Sequence, residues 1–361
     1  MKIVEPTLLL DIQKCKSNIE KMCHKAKEND LLFRPHFKTH QSLEIGRWFK
    51  DHDVKQITVS SLNMAMYFMQ EWKDITVAFP TNILEIDKIN KIASSIHLNL
   101  LIEDLKTIQK LGENSKFNIG IFIKIDVGYH RTGINPTDIK KIDKLLTKLK
   151  QYQHLDFKGF LGHAGHSYSA KSQNEILQIH AHSIQCMKEL KSHYITEYPN
   201  LITSLGDTPT CSTATNFEGV DEIRPGNFVF YDLAQWSLGV CKLEDIAVTM
   251  ACPIIAKHPE RKELVIYGGG VHFSKDVGNI KGSKTPFYGY VTDIKKTGWE
   301  NIDLNSFYIK MSQEHGIIKA DENCFEKYNV GDVIGVIPIH SCMTADLFDQ
   351  YITSEGRIMR L

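Results

Sequence analysis

From about residue 31 to residue 230, short runs of β-branched and other apolar residues alternate with longer segments whose apolar residues recur at helical spacing. That alternation predicts βα units around a parallel sheet. Eight strands are expected, at Leu31–Phe37, Gln56–Ser60, Ile75–Phe79, Ile96–Ile102, Ile119–Asp126, Phe157–Gly162, Leu201–Leu205 and Ile223–Phe230. Between them, Ile139–Leu149 and Asn174–Leu190 place apolar residues on one helical face and lysines outside. Eight such repeats in about 220 residues predict an α/β fold with a (βα)8 TIM-type barrel, and an open doubly wound sheet is the rival. After about Asp232 no long amphipathic helix follows. The runs Ala247–Ile255, Glu263–Tyr267 and Val333–Ile337 are separated by Gly, Pro and Asn, which reads as a mostly β second domain. The expected division is a barrel over 10–235 and a β domain over 236–361, with residues 1–9 returning to it through pairing of Ile3–Leu10.

Composition narrows the function classes. The 361 residues carry 43 acidic and 43 basic side chains, so no net field favours nucleic acid or an anionic membrane. No apolar run approaches the roughly 20 residues that span a bilayer, and the first residues lack the apolar core of a signal peptide. The 8 cysteines show no paired spacing, which fits a reducing cytoplasm.

Polar residues cluster where a barrel carries its chemistry, at the carboxyl ends of strands and in the loops that follow. Arg34-Pro35-His36-Phe37-Lys38-Thr39-His40 ends the first apolar run, so Lys38 is expected at a buried strand end between two histidines. Burial beside cationic groups would keep such an amine partly neutral, as a Schiff-base lysine requires. The later strands end in Asp126-Val127-Gly128-Tyr129-His130-Arg131-Thr132-Gly133, Gly162-His163-Ala164-Gly165-His166-Ser167-Tyr168, Gly206-Asp207-Thr208-Pro209-Thr210 and Arg224-Pro225-Gly226-Asn227. Gly206, Asp207, Thr208, Gly226 and Asn227 suit a phosphate, because glycine lets backbone amides approach and threonine adds a donor. On spacing alone these are also ordinary turns. Arg224 could instead pair with Glu222 or Asp221, Arg131 with Asp126, and His163 and His166 could be satisfied core histidines.

Near the C-terminus, Pro338-Ile339-His340-Ser341-Cys342-Met343-Thr344 sets an imidazole and a thiol two residues apart. On a strand that spacing points both to one face. Together they suit Zn²⁺, whose other positions could take water and a substrate oxygen. The seven other cysteines read as core fillers. Gln313-Glu314-His315-Gly316 is either an acid-base segment or a turn between strands, and Gly268–Asp276 is a glycine turn without an assigned role.

The array RPHFKTH, KIDVGYHRTG, GHAGHSY, LGDTPT, EIRPGNFVFYD and the late HSC resembles the D-serine dehydratase and D-threonine aldolase family of alanine-racemase-like pyridoxal-phosphate enzymes, in order and over nearly the whole chain. The resemblance implies that Lys38 carries pyridoxal phosphate, with Gly206, Asp207, Thr208, Gly226 and Asn227 near its phosphate. It implies Arg131 at the phenolic oxygen, Arg224 at the pyridine nitrogen, and His163 and Tyr168 beside the ring, Tyr168 also acting on protons. His340 and Cys342 would hold a divalent metal beside the cofactor, zinc in preference to the harder Mn²⁺ or Mg²⁺ because one ligand is a thiolate. A homodimer and a D-amino-acid substrate follow from the same likeness.

Three reactions stay open. Loss of the α-proton and a metal-assisted β-hydroxyl gives keto acid and ammonia, the D-serine dehydratase outcome favoured here. Deprotonation of the β-hydroxyl breaks Cα–Cβ and gives glycine and an aldehyde, as in D-threonine aldolase. A racemase would use Lys38 and a second base without needing His340 or Cys342.

Overall fold

The computed structural model describes residues 2–279, 286–296 and 298–361, and these divide into two compact units, Met1–Ile19 with Val229–Leu361, and Glu20–Phe228. The chain opens with strand β1 (Thr7–Leu10) in the first unit. The second unit carries eight parallel strands, β2 (Leu32–Phe33), β3 (Gln56–Val59), β4 (Asp74–Pro80), β5 (His97–Ile102), β6 (Ile119–Ile125), β7 (Leu155–Gly162), β8 (Ile202–Leu205) and β9 (Glu222–Ile223). They run in the order β2-β9-β8-β7-β6-β5-β4-β3. The ends of that sheet meet at a parallel bridge from His36 to Thr58, where Thr58 N donates to Pro35 O and Phe37 N to Thr58 O, each at 2.9 Å. The sheet is therefore a barrel and the open-sheet alternative falls.

All eight expected strands are present, but the first and last are much shorter than the apolar runs that announced them. The run after Ile223 bends because Pro225 cannot donate to a ladder, and Asn227–Val229 becomes a short 3-10 helix instead. Helices occupy Ile139–Leu149, as expected, and Gln173–Tyr194, which starts one residue before the expected span and runs past Leu190 by one turn. Strand β6 is buried at every position, as a parallel strand covered on both faces must be. At Gly206, after β8, a Cβ would come within 2.6 Å of the Arg224 backbone nitrogen, so only glycine lets these two chain segments approach.

The barrel interior is not wholly apolar. Arg34 Nε donates to Glu222 Oε2 at 2.6 Å and Arg34 Nη1 to Asp74 Oδ1 at 2.5 Å, which also accepts from Asn99 at 3.0 Å. Glu222 Oε1 accepts from Ser204 Oγ at 2.6 Å, and Ser204 Oγ accepts from Arg224 Nε at 2.7 Å. This chain of charge-assisted bonds satisfies the buried charges it contains.

In the other unit, β10 (Val248–His258), β11 (Glu263–Tyr267), β12 (Gly278–Asn279), β13 (Pro286–Phe287), β14 (Gly289–Lys295), β15 (Gly298–Met311), β16 (His315–Lys319), β17 (Val333–Pro338), β18 (Gln350–Thr353) and β19 (Gly356–Met359) follow in chain order. A sheet of order β11-β16-β15-β14-β17-β10-β1-β18-β19 folds back so that β11 also pairs with β10. β1 joins it antiparallel to β10, from Thr7 opposite Ala251 to Leu10 opposite Val248, as the N-terminal pattern predicted. Gln313 and Glu314 fall in the turn between β15 and β16, the simpler of the two readings. All eight cysteines are free. Cys15, Cys186, Cys211, Cys252 and Cys324 are core residues, whereas Cys23 and Cys241 are only half-buried. Among the described residues no helix is long and apolar enough to cross a membrane.

Candidate active site

Strand ends and the loops after them bring most of the expected residues of the barrel unit together. Lys38 follows the His36 bridge, and its side chain is exposed rather than buried. The expectation of a buried amine at this position is corrected: the chain turns over residues 37–40, and it is Phe37, not Lys38, that enters the core, where it packs against Phe49, Phe68 and Trp72. The buried lysine of the barrel is Lys124, 5% exposed on β6, with Nζ donating to Ile125 O at 2.9 Å. Burial, then the nearby Arg224 charge, pulls its ammonium down to about 7.

His36 and His163 stay neutral for the same reasons. Burial first, then Lys38 and Arg224, holds His36 well below the ordinary imidazole range. Burial pushes His163 to about 3, aided by Lys38, Arg224 and Lys124 and opposed by its bond to Gly206 O at 2.6 Å. A carbonyl only accepts, so Nδ1 of His163 carries the proton and Nε2 is left as an acceptor. Arg224, 4% exposed, donates to Ser204 Oγ and to Gly162 O, and burial lowers it only to about 10, so it remains a cation. The suggested pairing of Arg224 with Glu222 or Asp221 is replaced: Ser204 stands between Arg224 and Glu222, and Asp221 bonds Lys191. The suggested Arg131–Asp126 pair is also replaced. Asp126 accepts from His130 at 2.9 Å and from two backbone amides, while Arg131 lies over the Tyr129 ring at 4.8 Å.

The glycine-rich turns show a division of labour. Asp207 is the N-cap of the helix Thr208–Thr213, accepting from Thr210 N and Thr210 Oγ1 at 2.8 Å each and from Ser167 Oγ at 2.7 Å. With both oxygens so used, and burial raising its carboxyl to about 6, Asp207 shapes the turn instead of facing a phosphate. Tyr168 Oη accepts from Thr208 N at 3.2 Å, and Thr208 Oγ1 accepts from Phe228 N at 3.2 Å. At Gly226 a Cβ would approach His36 O to 2.9 Å, so this turn lies directly on the Lys38 segment.

His340 and Cys342 belong to the other unit and are close enough to hydrogen-bond. They do not share a strand as the spacing suggested. Strand β17 stops at Pro338, and His340 is the N-cap of the short helix Ser341–Ala345, whose first residue is fixed by Asp232 Oδ2 at 3.0 Å from Ser341 N. His340 Nδ1 meets Asp276 Oδ2 at 2.5 Å. Opposing the cost of burial, Asp276 and Cys342 hold the imidazole up at about 11. Among the described residues no group of three or more His, Cys, Asp and Glu side chains forms a metal cage, and His340 and Cys342 bring one nitrogen and one sulfur together. That donor pair fits a borderline-soft divalent ion with open positions.

The donor set of the barrel fits an anionic aldehyde cofactor: an accessible amine on Lys38, the cations Arg224 and Arg131, the tunable Lys124, and neutral imidazoles on His36 and His163. Lys124, His36, Ser204, Glu222 and Asp276 were not singled out as site residues by the sequence. Lys124 alone had a clear signal, a lysine between isoleucines in a run otherwise apolar on both faces.

Comparison with known proteins converges on one family. The alanine racemase N-terminal domain family matches residues 10–233, and the putative serine dehydratase domain family matches 247–354. A D-serine dehydratase of Dictyostelium discoideum is 31% identical, over 98% of this chain and 94% of its own. The solved D-threo-3-hydroxyaspartate dehydratase of Delftia sp. HT23 superposes with a TM-score of 0.90 at 23% identity, over 100% of this chain and 98% of that one. Related structures of that enzyme carry a cysteine-to-alanine change, in a metal-free form, or a histidine-to-alanine change. The D-threonine aldolase of Filomicrobium marinum shares the fold at a TM-score of 0.82 and 15% identity, over 99% of this chain and 96% of that one. The chain belongs to the D-serine dehydratase family of alanine-racemase-like, pyridoxal-phosphate-dependent lyases.

Proposed function

We propose that this protein eliminates water from a D-β-hydroxy amino acid of the D-serine type, releasing a keto acid and ammonia, with pyridoxal phosphate on Lys38 and zinc at His340 and Cys342. The observation that carries the reading is the accessible Lys38 amine set among Arg224, Lys124 and two imidazoles kept neutral by burial. When bound, pyridoxal phosphate makes the substrate α-proton removable and the metal, as a Lewis acid, helps the β-hydroxyl depart.

The chain's own residues then have separable tasks. Lys38 Nζ would hold the cofactor and, with its amine free, would take the proton from the substrate α-carbon. Arg224, kept positive and fixed by Ser204 and the Gly162 carbonyl, would face the pyridine nitrogen and discourage its full protonation. Arg131 would serve the phenolic oxygen. The backbone at Gly206, Thr208, Gly226 and Asn227 would hold the phosphate, with Asp207 setting that turn through its cap. His163, proton on Nδ1, offers the ring a neutral face, and Tyr168 is the second acid or base. A cysteine ligand favours zinc over Mg²⁺ or Mn²⁺. A cytoplasmic homodimer completes the proposal, supported by the free thiols and by the family likeness.

The test is turnover of purified protein loaded with pyridoxal phosphate and Zn²⁺ on D-serine and D-threonine, with L-isomers and a chelator as controls. Keto acid and ammonia, abolished by chelator, are expected. Glycine and acetaldehyde from D-threonine would make it an aldolase, and inversion without breakdown a racemase.

A further inference from the structure

The segment Gly268–Asp276 joins β11 to β12 and carries three glycines, a histidine, a lysine and an aspartate for which the reaction has no use. Its geometry is closely determined. Gly268 N donates to Glu314 O at 2.9 Å and Gly270 N to Ser312 O at 2.7 Å, which fixes its start. Its end is tied to the helix that His340 caps: Ser274 N donates to Thr344 Oγ1 at 3.1 Å, and Asp276 N donates to Ser274 Oγ at 3.1 Å. These bonds deliver Asp276 Oδ2 to His340 Nδ1 at 2.5 Å. A carboxylate only accepts, so Nδ1 of His340 carries the proton toward Asp276 and Nε2 is the nitrogen at which a metal could replace a proton.

We infer that Asp276 is a positioning residue for the metal centre: it selects the metal-binding tautomer of His340, fixes the plane of its ring and raises its basicity as a ligand. The inference rests on the proposed His340 and Cys342 metal pair. It would hold one of the two donors in place before the ion arrives. A carboxylate partner behind a metal-bound histidine typically contributes about 10- to 100-fold in affinity.

The test is the dissociation constant and stoichiometry of Zn²⁺ on cofactor-loaded protein, by competition with a chromophoric chelator, for wild type, D276N, D276A, H340A and C342S. Cobalt substitution supplies a second signal, the thiolate-to-metal absorption band. We expect one equivalent in wild type, weakened about 10- to 100-fold in D276A and less in D276N, whose amide oxygen still accepts from Nδ1. The cobalt band should persist in both. Equal affinity in D276A and wild type would overturn the inference while leaving the metal pair intact. Loss of the equivalent in D276N and D276A at saturating metal would overturn it too, by making Asp276 a ligand. Undiminished binding in H340A and C342S would instead remove the metal reading on which it rests. A near-ultraviolet circular dichroism spectrum unchanged in D276N keeps a folding defect from imitating the expected result.

Discussion

Replacing Glu222 by glutamine should destabilise the barrel far more than its size suggests. Glu222 is fully buried, and both oxygens accept: Oε2 from Arg34 Nε at 2.6 Å and Oε1 from Ser204 Oγ at 2.6 Å. A glutamine supplies one acceptor where two are needed. If its oxygen meets Arg34, its amide faces Ser204 Oγ, which already accepts from Arg224 Nε at 2.7 Å, and the serine proton then has nowhere to go. Arg34 would be left with the half-exposed Asp74 and Arg224 with Asp207 as counter-charges. Breaking one side of a buried ion pair costs about 3–5 kcal/mol, and an unsatisfied hydroxyl costs a similar order. Ser204→Ala should cost roughly 1–3 kcal/mol, because it removes a neutral group between two charges and leaves both charges in place. The double variant should fall short of the sum by about 1 kcal/mol or more, since the two side chains share one bond. Urea unfolding gives the overall change, and amide exchange in β8 and β9 locates it in the barrel. A midpoint and exchange pattern for E222Q within about 0.5 kcal/mol of wild type would refute the argument that this relay is electrostatically committed.

Other consequences are more direct. Lys38→Ala should abolish the absorption band of the lysine-linked cofactor and nearly all turnover, and turnover without added amine would remove Lys38 from the chemistry. Asp207 is raised from 3.8 to about 6 in the folded state, so the native protein binds the extra proton and stability falls as pH rises through that window. Asp207→Asn should flatten that slope, read as the urea midpoint against pH, while its amide keeps the bond from Thr210 N and gives up the one that Oδ2 accepts from Thr210 Oγ1. Lys124 is lowered from 10.5 to about 7, so it costs stability below about pH 10, increasingly as pH falls to 7. Lys124→Met should therefore raise stability at pH 7, by up to about 4 kcal/mol, while impairing turnover, and equal stability would show that the amine is not desolvated.

The barrel was legible because its strands are buried on both faces and its helices on one, so period and length separate them without reference to partners. What failed was local. The first and last strands were read too long, because Phe37 and Phe228 are apolar for packing and not for a ladder. The HxC pair was assigned to a strand because two-residue spacing has that meaning on a strand. The structure reaches the same contact by ending β17 at Pro338 and capping a helix with His340. Partners distant in sequence were not legible at all: Asp276 lies 64 residues from His340, and Ser204 20 from Arg224. No periodicity connects such residues, since only the closed fold brings them together.

Lys124 and Lys38 separate burial from access. Burial lowers the affinity of an amine for its proton, which makes it nucleophilic, but it also consumes the space a ligand would need. Lys124 illustrates the cost: its Nζ is brought to about 7 and yet bonds the carbonyl of the next residue inside a strand that is buried throughout. Lys38 has the opposite arrangement. It is exposed after the carboxyl end of β2, on a turn that the Gly226 loop touches, and its charge acts on His36 and His163. Lys38 keeps the access that Lys124 lacks.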